Sequence, residues 1–464
     1  MSEESYRYSG FAATTYSRRN RNVKKTVRNK NTYAKNTMLV LEFCVNLARC
    51  MVVCGANLER VELAMALICG AYDMTDVSIF LLSSHISLSA KDADGRYISR
   101  QVTIPPAAIH LERLKRVNRL SYTVVREKPE PAVLQQMLDE AWDAREYPEW
   151  ALAAGQTCAI ICLSLIFGGG PAEIIIAGLL TLALRFVSRL MGRADMNRLV
   201  TSALTMSLAT FVIMLLTAFH ITVKPAVLII TISMIYLPGI PLVNAVRNLI
   251  CDHEMNGVLQ LMKVIIETAA LAAGIYAAVF VFRGDAGLAD KVITPLSDPV
   301  LLVILSFFAS AGFGMVFEIP PHDLWRAGIG GVLTRLVLIF LPGYVSYRLI
   351  YTGAAALTAA LYAEYLASKR KDPSTYFVYP AIIPLIPGDM FFHAILGSIY
   401  GNWDMAASNG SGCVIALLGM SIGFVLSSSA AHYMRKFRNS IHINRIHISG
   451  KKLGVNIRDF YPPK

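Results

Sequence analysis

The sequence predicts an α-helical polytopic membrane protein in which a small cytoplasmic α/β domain precedes ten transmembrane helices, arranged as two inverted five-helix repeats. The chain has 464 residues, of which 55% are hydrophobic and only 16% are charged, whereas a soluble domain carries about a quarter charged residues. After residue 148 the sequence consists mostly of apolar runs of about 20 residues, the length that crosses the roughly 30 Å core of a bilayer. Two of these runs contain matching Pro-Gly pairs.

The first 147 residues contain a tail and a domain. Residues 1–36 are polar and basic, which predicts disorder. Residues 37–147 predict an α/β domain, because helical periodicity gives way to β-rich segments and then returns. The predicted elements are helices at 38–53 and 58–72, strands at 75–83, 85–90 and 97–104 with a hairpin turn at Asp92-Ala93-Asp94-Gly95, and helices at 107–125 and 131–145.

The predicted membrane part begins at Tyr147-Pro148-Glu149-Trp150, since Tyr and Trp favour the headgroup level. It comprises a first repeat at 148–283 and a second at 284–434, followed by a basic tail at 435–464. If residues 1–148 are cytoplasmic, most Lys and Arg residues of the connections lie on the cytoplasmic side, as the positive-inside rule requires, and both termini are cytoplasmic. The predicted spans are 150–168, 171–190, 199–219, 224–239, 257–282, 299–317, 324–342, 348–367, 376–400 and 412–434.

Charge and cysteine content exclude several classes of function. The net charge is +12, but the basic residues concentrate at the N-terminus and between apolar runs, which indicates lipid headgroup contacts rather than nucleic-acid binding. Cys50 and Cys54 lie one helical turn apart, yet no His or second Cys pair completes a zinc site. Arg60 and Glu62 lack a nucleophile, metal set or phosphate loop. We therefore expect that the protein is not an enzyme and binds no metal or cofactor. The sequence leaves open whether it forms a homo-oligomer.

Two short segments of the membrane part resemble each other. Pro238-Gly239-Ile240-Pro241 closes the fourth predicted span, and Pro387-Gly388-Asp389 lies in the ninth. A polar residue follows each first-named proline by six positions: Asn244 in the first copy and His393 in the second. The copies occupy equivalent spans of two five-span halves. Because an odd number of spans reverses orientation, the halves predict the inverted-topology repeat that is common in secondary transporters.

A Pro-Gly pair at membrane depth predicts an interrupted helix. Proline removes a backbone donor and glycine relaxes the helix, and free backbone groups are tolerated there only inside protein or beside a wet cavity. The restarted helix points its positive N-terminal end into that cavity, where a substrate carboxylate can bind. The alternative is a simple kink. The candidate substrate-binding residues are Pro238, Gly239, Pro241, Asn244, Pro387, Gly388, Asp389 and His393.

Ionisable residues inside spans are costly, so each is a candidate site residue. Asp389 and His393 are four residues apart and could pair or pass protons. Alternatively, Asp389 caps the restarted helix and His393 bonds a neighbour. Glu267 lies well inside the fifth span beside small residues and is the preferred site for the coupling proton or a substrate ammonium group, with a structural hydrogen bond as the alternative.

Four further charged residues are candidate anion or gate positions. Arg335 lies mid-span and needs an anion, for which Glu364 is one candidate. Arg247 follows the first Pro-Gly segment. Glu173 begins a span after Gly168-Gly169-Gly170, where snorkelling to the headgroups explains it equally well.

Several motifs, taken in order and with their spacing, carry a family resemblance. They are Gly55–Glu62, Asp76-Val77, Tyr147-Pro148, Phe167-Gly168-Gly169-Gly170, Leu237–Arg247, Pro320 with Gly328, Gly330 and Gly331, and Ile383–Gly388. On these residues the chain, from 38 to 434, resembles the threonine/serine exporter family in its fused two-half form. The resemblance implies a bacterial inner-membrane carrier that exports threonine and serine, driven by the proton gradient. Relatives with the two halves on separate chains are linked to dicarboxylate export.

The chain departs from the family pattern at three positions. Where this chain has Asp389, family members often have a small residue. Near the position of His393 they often have Arg or Thr, and where this chain has Glu318 they often have Asn. These departures add ionisable groups and leave the substrate open.

Three functional hypotheses follow from these residues. The leading hypothesis is an exporter that works by alternating access, in which protons neutralise Glu267 or Asp389. A dicarboxylate exporter is the second, and it predicts that Arg247 and Arg335 matter more than the carboxylates. The third is a membrane sensor with a cytoplasmic ligand-binding domain, which predicts no flux and tolerance of neutralised carboxylates inside the spans.

Overall fold

A computed structural model describes residues 36–91, 95–105, 108–143, 147–193, 196–221, 224–251, 253–282, 295–370 and 372–443. The described residues divide into two compact units, one of 36–108 and 113–143 and the other of 109–112 and 147–443. The predicted N-terminal tail, three residues of the predicted hairpin turn and the end of the predicted C-terminal tail lie outside the described residues.

The first unit has the predicted order of two helices, three strands and two helices. Its elements are α1 (Asn36–Val53), α2 (Leu58–Ala71), β1 (Thr75–Leu81), β2 (His85–Lys91), β3 (Tyr97–Thr103), α3 (Leu111–Glu127) and α4 (Leu134–Trp142). The strands form an antiparallel sheet in the order β1-β2-β3. Alternate side chains of β2, those of Ile86, Leu88 and Ala90, are fully buried, as the two-residue period of a half-buried strand predicts.

The regular elements described in the second unit are helices. They are α5 (Glu149–Ile166), α6 (Pro171–Arg193), α7 (Arg198–Ala218), α8 (Pro225–Tyr236), α9 (Gly239–Ile250), α10 (Glu254–Val281), α11 (Pro299–Val316), α12 (Leu324–Phe340), α13 (Arg348–Arg370), α14 (Thr375–Ala381), α15 (Gly388–Tyr400) and α16 (Trp403–Ile443). A short 3₁₀ turn at Pro321–Asp323 leads into α12.

Eight of the described helices are long and apolar enough to cross a membrane, or nine if α8 and α9, which meet at a 61° bend, count as one span. The chain is therefore a multi-pass α-helical membrane protein. α1 is among the eight, so a cytoplasmic location of the first unit stays a prediction. α13 and the α14–α15 pair, the predicted eighth and ninth spans, are not among them. α13 carries Arg348, Glu364 and Lys369 among its alanines, and α14 and α15 are short.

The first helix of each predicted half has the same bounds, 150 residues apart. α5 covers Glu149–Ile166 and α11 covers Pro299–Val316. The chain leaves each helix through a residue with a left-handed backbone, Gly168 (φ 84°) and Glu318 (φ 62°). Such helix ends favour Gly or Asn because a Cβ atom is strained there, so Glu318 has a backbone conformation that its residue type does not favour.

The helices of the second unit form two bundles, and each bundle contains the helices that occupy equivalent positions in the two predicted halves. The first bundle comprises α5, α6, α11 and α12, with α5 packed on α11 at its centre. The second bundle comprises the pairs α7–α10 and α13–α16, which α9 and α15 bridge by packing on both α10 and α16. Small residues let the second-bundle pairs approach closely: a Cβ atom at Gly274 would lie 2.1 Å from the Ala203 backbone oxygen, and one at Gly423 would lie 2.4 Å from that of Gly353.

Replacing Gly274 or Gly423 by alanine is expected to lower the thermal unfolding midpoint of the purified protein in detergent. The new methyl group would overlap a backbone oxygen, and overpacking of this kind costs about 1–3 kcal/mol. Gly192→Ala is the matched control, because no atom lies within 4 Å of the added carbon and alanine is the better helix former. Equal midpoints for Gly274→Ala and Gly192→Ala would contradict the packing of α10 on α7.

Candidate functional site

Both helices that contain a Pro-Gly pair are interrupted there, as the sequence predicts, and both by the same turn. Pro238 has φ −77° and ψ 57°, and the N–H of Gly239 donates to the oxygen of Leu237 at 2.8 Å. Pro387 has φ −79° and ψ 56°, and the N–H of Gly388 donates to the oxygen of Ile386, also at 2.8 Å. These values define an inverse γ-turn centred on each proline. A new helix, α9 or α15, begins immediately after each turn.

The two turns lie against each other. A Cβ atom at Gly239 would lie 3.0 Å from the Ile386 side chain, and one at Gly388 would lie 3.5 Å from the Leu237 side chain and 2.0 Å from that of Met234. Each glycine thus contacts the residue that precedes the proline of the other turn, and at Gly239 the absence of a Cβ atom eases this approach. The contact is reciprocal, as it is in an interface with twofold symmetry.

The turns also mark where the chain passes from one bundle to the other. α8 packs on α5 and α6 of the first bundle as well as on its sequence neighbour α7, and α14 packs on α11 and α12 as well as on α13. α9 and α15, which follow the turns, pack on α10 and α16 of the second bundle. The sequence also predicts a cytoplasmic connection at 244–256, between the fourth and fifth spans. This prediction is wrong in its first part, because α9 continues to Ile250. Its polar residues, Asn244 and Arg247 among them, resemble a loop in a hydropathy profile.

Asn244 connects the restarted helix of one half to α14 of the other half. Its Nδ2 atom donates to the hydroxyl oxygen of Tyr379 at 3.1 Å, and Tyr379 is only 3% exposed. Arg247, one turn further along α9, interacts electrostatically with the same tyrosine. The sequence analysis missed Tyr379. The available signal was a tyrosine inside an apolar run, since a buried Tyr hydroxyl needs a hydrogen-bond partner.

The candidate residues of the second turn do not form the predicted side-chain pair. The Nδ1 atom of His393 bonds the backbone oxygen of Asp389 at 2.7 Å, so His393 bonds a neighbour, which was the alternative. Asp389 lies half-buried in the first turn of α15, and no side-chain cap bond is formed at the N-cap residue of that helix. Arg348 contacts the sulfur of Met390, and both Arg348 and Asp389 act electrostatically on Cys413. The sequence analysis missed Arg348 because it begins a span.

Glu267 lies in the middle of α10, the helix that packs on α7, α9 and α15. The residue is 9% exposed. A carboxylate buried in the second bundle, on a helix that contacts both restarted helices, suits a role in proton or ammonium binding.

Two arginines, 150 residues apart, make equivalent hydrogen bonds inside the first bundle. Arg335 donates from Nε to Ser306 at 2.9 Å, and Arg185 donates from Nη1 to Gln156 at 2.7 Å. The hydrogen-bond partner that the structure gives Arg335 is thus the Ser306 hydroxyl group on α11, and a role for Glu364 stays a prediction. Arg185 also pairs with Glu149 at 2.9 Å, which ties α6 to α5.

Glu173 is buried, and its explanation by snorkelling is wrong. It is 2% exposed and accepts hydrogen bonds from the backbone N–H groups of Gly170 at 2.9 Å and Lys224 at 3.3 Å. The residue 150 positions later, Asp323, is fully buried. The sequence analysis missed Asp323 because it falls in a predicted connection, although Pro171-Ala172-Glu173 and Pro321-His322-Asp323 share the same spacing.

Two interrupted helices thus meet at matched turns between two bundles, and ionisable side chains lie beside the turns. Interrupted helices of this kind recur in membrane transporters. Among the residues that the structure describes, no group of three His, Cys, Asp or Glu residues could hold a metal ion.

The chain belongs to the threonine/serine exporter family. A family model described as "Putative threonine/serine exporter" matches residues 42–282, and a second, described as "Threonine/Serine exporter, ThrE", matches residues 302–430. This is a family of transporters, not of enzymes. The chain is 22% identical over 375 residues to a "Probable threonine/serine exporter" of Mycobacterium tuberculosis, a match that covers 78% of this chain and 70% of the relative. No solved structure matches the chain significantly.

A double-mutant cycle on Asn244→Ala and Tyr379→Phe is expected to show a coupling of about 0.5–1.5 kcal/mol in the free energy of unfolding in mixed micelles, the usual net value of one hydrogen bond. Tyr362→Phe replaces Tyr379→Phe in the control cycle, because its hydroxyl donates to the backbone oxygen of Arg326 instead. A coupling in the Tyr379 cycle no larger than that in the control would refute the link between α9 and α14.

Proposed function

We propose that the protein exports threonine and serine as a proton-coupled secondary active transporter of the bacterial inner membrane. The observation that carries the proposal is the pair of γ-turns at Pro238 and Pro387, which contact each other where the chain passes between the two bundles. A rotation of one bundle against the other would concentrate at these turns, as alternating access requires. Family membership supports the choice of threonine and serine.

The halves of the membrane part form an inverted-topology repeat in this proposal. Equal helix bounds, equal turns and equal arginine bonds at spacings of about 150 residues support two copies of one five-helix unit. Five spans per copy reverse the orientation of the second copy. With the first unit in the cytoplasm, ten spans also return the C-terminus to the cytoplasm.

The substrate-binding residues of the proposal surround the two turns. The N-terminal ends of α9 and α15 supply backbone N–H groups and positive dipole ends that suit an amino-acid carboxylate. Asn244 and His393 stand six positions after the two prolines and supply polar groups for the substrate hydroxyl. A carboxylate, Glu267 or Asp389, binds either the substrate ammonium group or the coupling proton. Alternate occupation by these two cations would couple export to proton entry.

A dicarboxylate substrate is the second candidate, because guanidinium groups lie near both turns. Arg348 contacts Met390 just after the second turn, and Arg247 lies on α9 after the first. Two cations near the two turns would match two substrate carboxylates. Succinate therefore accompanies threonine and serine in the test.

In proteoliposomes the purified protein is expected to exchange labelled threonine and serine by counterflow, and a pH gradient is expected to drive net threonine movement. Replacing the proton-coupling residue, by Glu267→Gln or Asp389→Asn, is expected to reduce gradient-driven movement about tenfold, within the usual range of coupling between two ligands. Counterflow is expected to weaken in that variant as well, because the replaced carboxylate also binds the substrate ammonium group in this proposal. Initial rates of radiolabelled uptake measure both.

Glu254→Gln is the matched control, because Glu254 is an exposed carboxylate at the start of the same helix as Glu267. Full gradient-driven movement in both Glu267→Gln and Asp389→Asn would reject these residues as proton sites. Exchange of succinate without exchange of threonine or serine would replace the substrate assignment, and absence of all flux would favour the sensor hypothesis.

A further inference from the structure

Asp323 is a fully buried carboxylate that the proposed substrate site does not use. Its Oδ2 atom accepts from Arg370 Nη2 at 3.2 Å and from the Tyr376 hydroxyl at 3.1 Å, and its other oxygen pairs with Arg326. His322 also approaches it, at 3.4 Å. A buried carboxylate of this kind is held by charge-assisted hydrogen bonds, which are about twice as strong as neutral ones.

The partners of Asp323 belong to different parts of the membrane unit. Asp323 immediately precedes α12 of the first bundle, whereas Arg370 ends α13 of the second bundle and Tyr376 lies on α14. The ion pair between Asp323 and Arg370 therefore joins the two bundles at one end. The Arg370 side chain is 27% exposed and also contacts Asp372 at 3.4 Å, so water can reach this pair if the bundles separate.

Glu173 occupies the equivalent position in the first half. It lies in the first turn of α6, in the first bundle, and accepts the backbone N–H of Lys224, the residue between α7 and α8. The Lys224 ammonium group donates to the oxygen of Gly168 at 2.6 Å, in the turn that ends α5. The start of α8 is thus held against the first bundle. Glu173 accepts hydrogen bonds from backbone N–H groups, whereas Asp323 pairs with guanidinium groups.

We propose that Asp323 and Glu173 are positioning residues that hold the two ends of the transport path closed in alternation. The proposal rests on the alternating-access function above. Five spans separate the two residues along the chain, so they lie at opposite ends, with Asp323 at the cytoplasmic end. Opening the cytoplasmic end breaks the ion pair between Asp323 and Arg370, and opening the opposite end separates Glu173 from the backbone N–H of Lys224. Water then solvates the charged groups that are exposed. Each set of bonds thereby favours one orientation of the carrier over the other, which is what a population shift requires.

We call the bonds of Asp323 and those of Glu173 the two locks. Weakening one lock is expected to change the apparent affinity for threonine in opposite directions at the two faces of the membrane. In Arg370→Gln, the cytoplasmic end opens more readily, so the half-saturating threonine concentration falls at the cytoplasmic face and rises at the opposite face. The ratio of the two is expected to change at least about threefold. In Glu173→Gln the ratio is expected to change in the other direction. Counterflow in vesicles of known orientation, with threonine varied on one face at a time, measures both values.

The variants are chosen so that a loss of folding does not imitate the result. Asp323→Asn removes the negative charge that faces the guanidinium groups of Arg326 and Arg370, so Arg370→Gln and Tyr376→Phe carry the test if that variant does not fold. Asp323→Glu keeps the charge and is expected to retain the wild-type ratio. Glu149→Gln is the matched control, because its ion pair with Arg185 lies within the first bundle; it is expected to leave the ratio unchanged. A purely structural role would lower the maximal rate without moving the ratio.

An unchanged ratio in folded Arg370→Gln and Glu173→Gln, or a change in the same direction in both, would overturn the proposal. Wild-type counterflow separates this failure from a failure of the proposed function. If the wild-type protein exchanges threonine and only the ratio fails to move, the locks are wrong and the exporter function stands. If the wild-type protein exchanges none of the substrates, the exporter function itself fails.

Discussion

Every peptide group inside a bilayer needs a hydrogen-bond partner, and this constraint determines where the chain of this protein can be interrupted. At Pro238 and Pro387 the proline has no N–H to leave unpaired, and the next N–H, that of a glycine, bonds across the turn. The chain can therefore change direction with few backbone groups unpaired. The two turns also lie against each other. Each turn therefore both pairs its own backbone groups and provides a packing surface for the other turn.

The arrangement of the helices follows from these two turns. The segments before them pack on the first bundle and the segments after them pack on the second. Close glycine contacts make the helix pairs of the second bundle compact. In the first bundle, α5 packs on α11 at the centre. Movement between two such compact bodies needs few flexible points, and the γ-turns supply them. Buried carboxylates at Glu173 and Asp323 lie beside the bundle boundary, where they can oppose that movement.

The sequence predicted the features that depend on neighbouring residues and missed those that depend on distant ones. Proline and glycine act on their own backbone, so the interruptions at Pro238 and Pro387 were predictable, as was the order of elements in the first unit. Hydropathy did not predict helices whose polar residues make contacts inside the protein. The stretch that forms α9 resembled a connection because it contains Asn244 and Arg247. Asp323 resembled a loop residue for the same reason, because its charge is satisfied by groups that come from α13 and α14.

Side-chain partners were the least predictable part of the site. His393 bonds the backbone oxygen of Asp389, one turn back in its own helix, and the spacing of the two residues does not distinguish this carbonyl from the Asp389 side chain. Arg335 bonds Ser306 on α11, a partner that only the packing of α11 on α12 brings near. The spacing of 150 residues between equivalent features was present in the sequence from the start. It becomes visible once the helix ends at Ile166 and Val316 are compared.

Cross-linking of the two turns tests this account most directly. In a variant without other cysteines, Gly239→Cys and Ile386→Cys place thiols at the contact between the turns, and mild oxidation in membranes is expected to join them. The account predicts that the joined protein loses threonine counterflow and that reduction restores it, because transport requires movement at the turns. Failure of this pair to cross-link, while cysteines at Gly314 and Ala327 do, would contradict the contact, because a Cβ atom at Gly314 lies 3.3 Å from that of Ala327. Full counterflow in the cross-linked protein would contradict the role of the turns in transport.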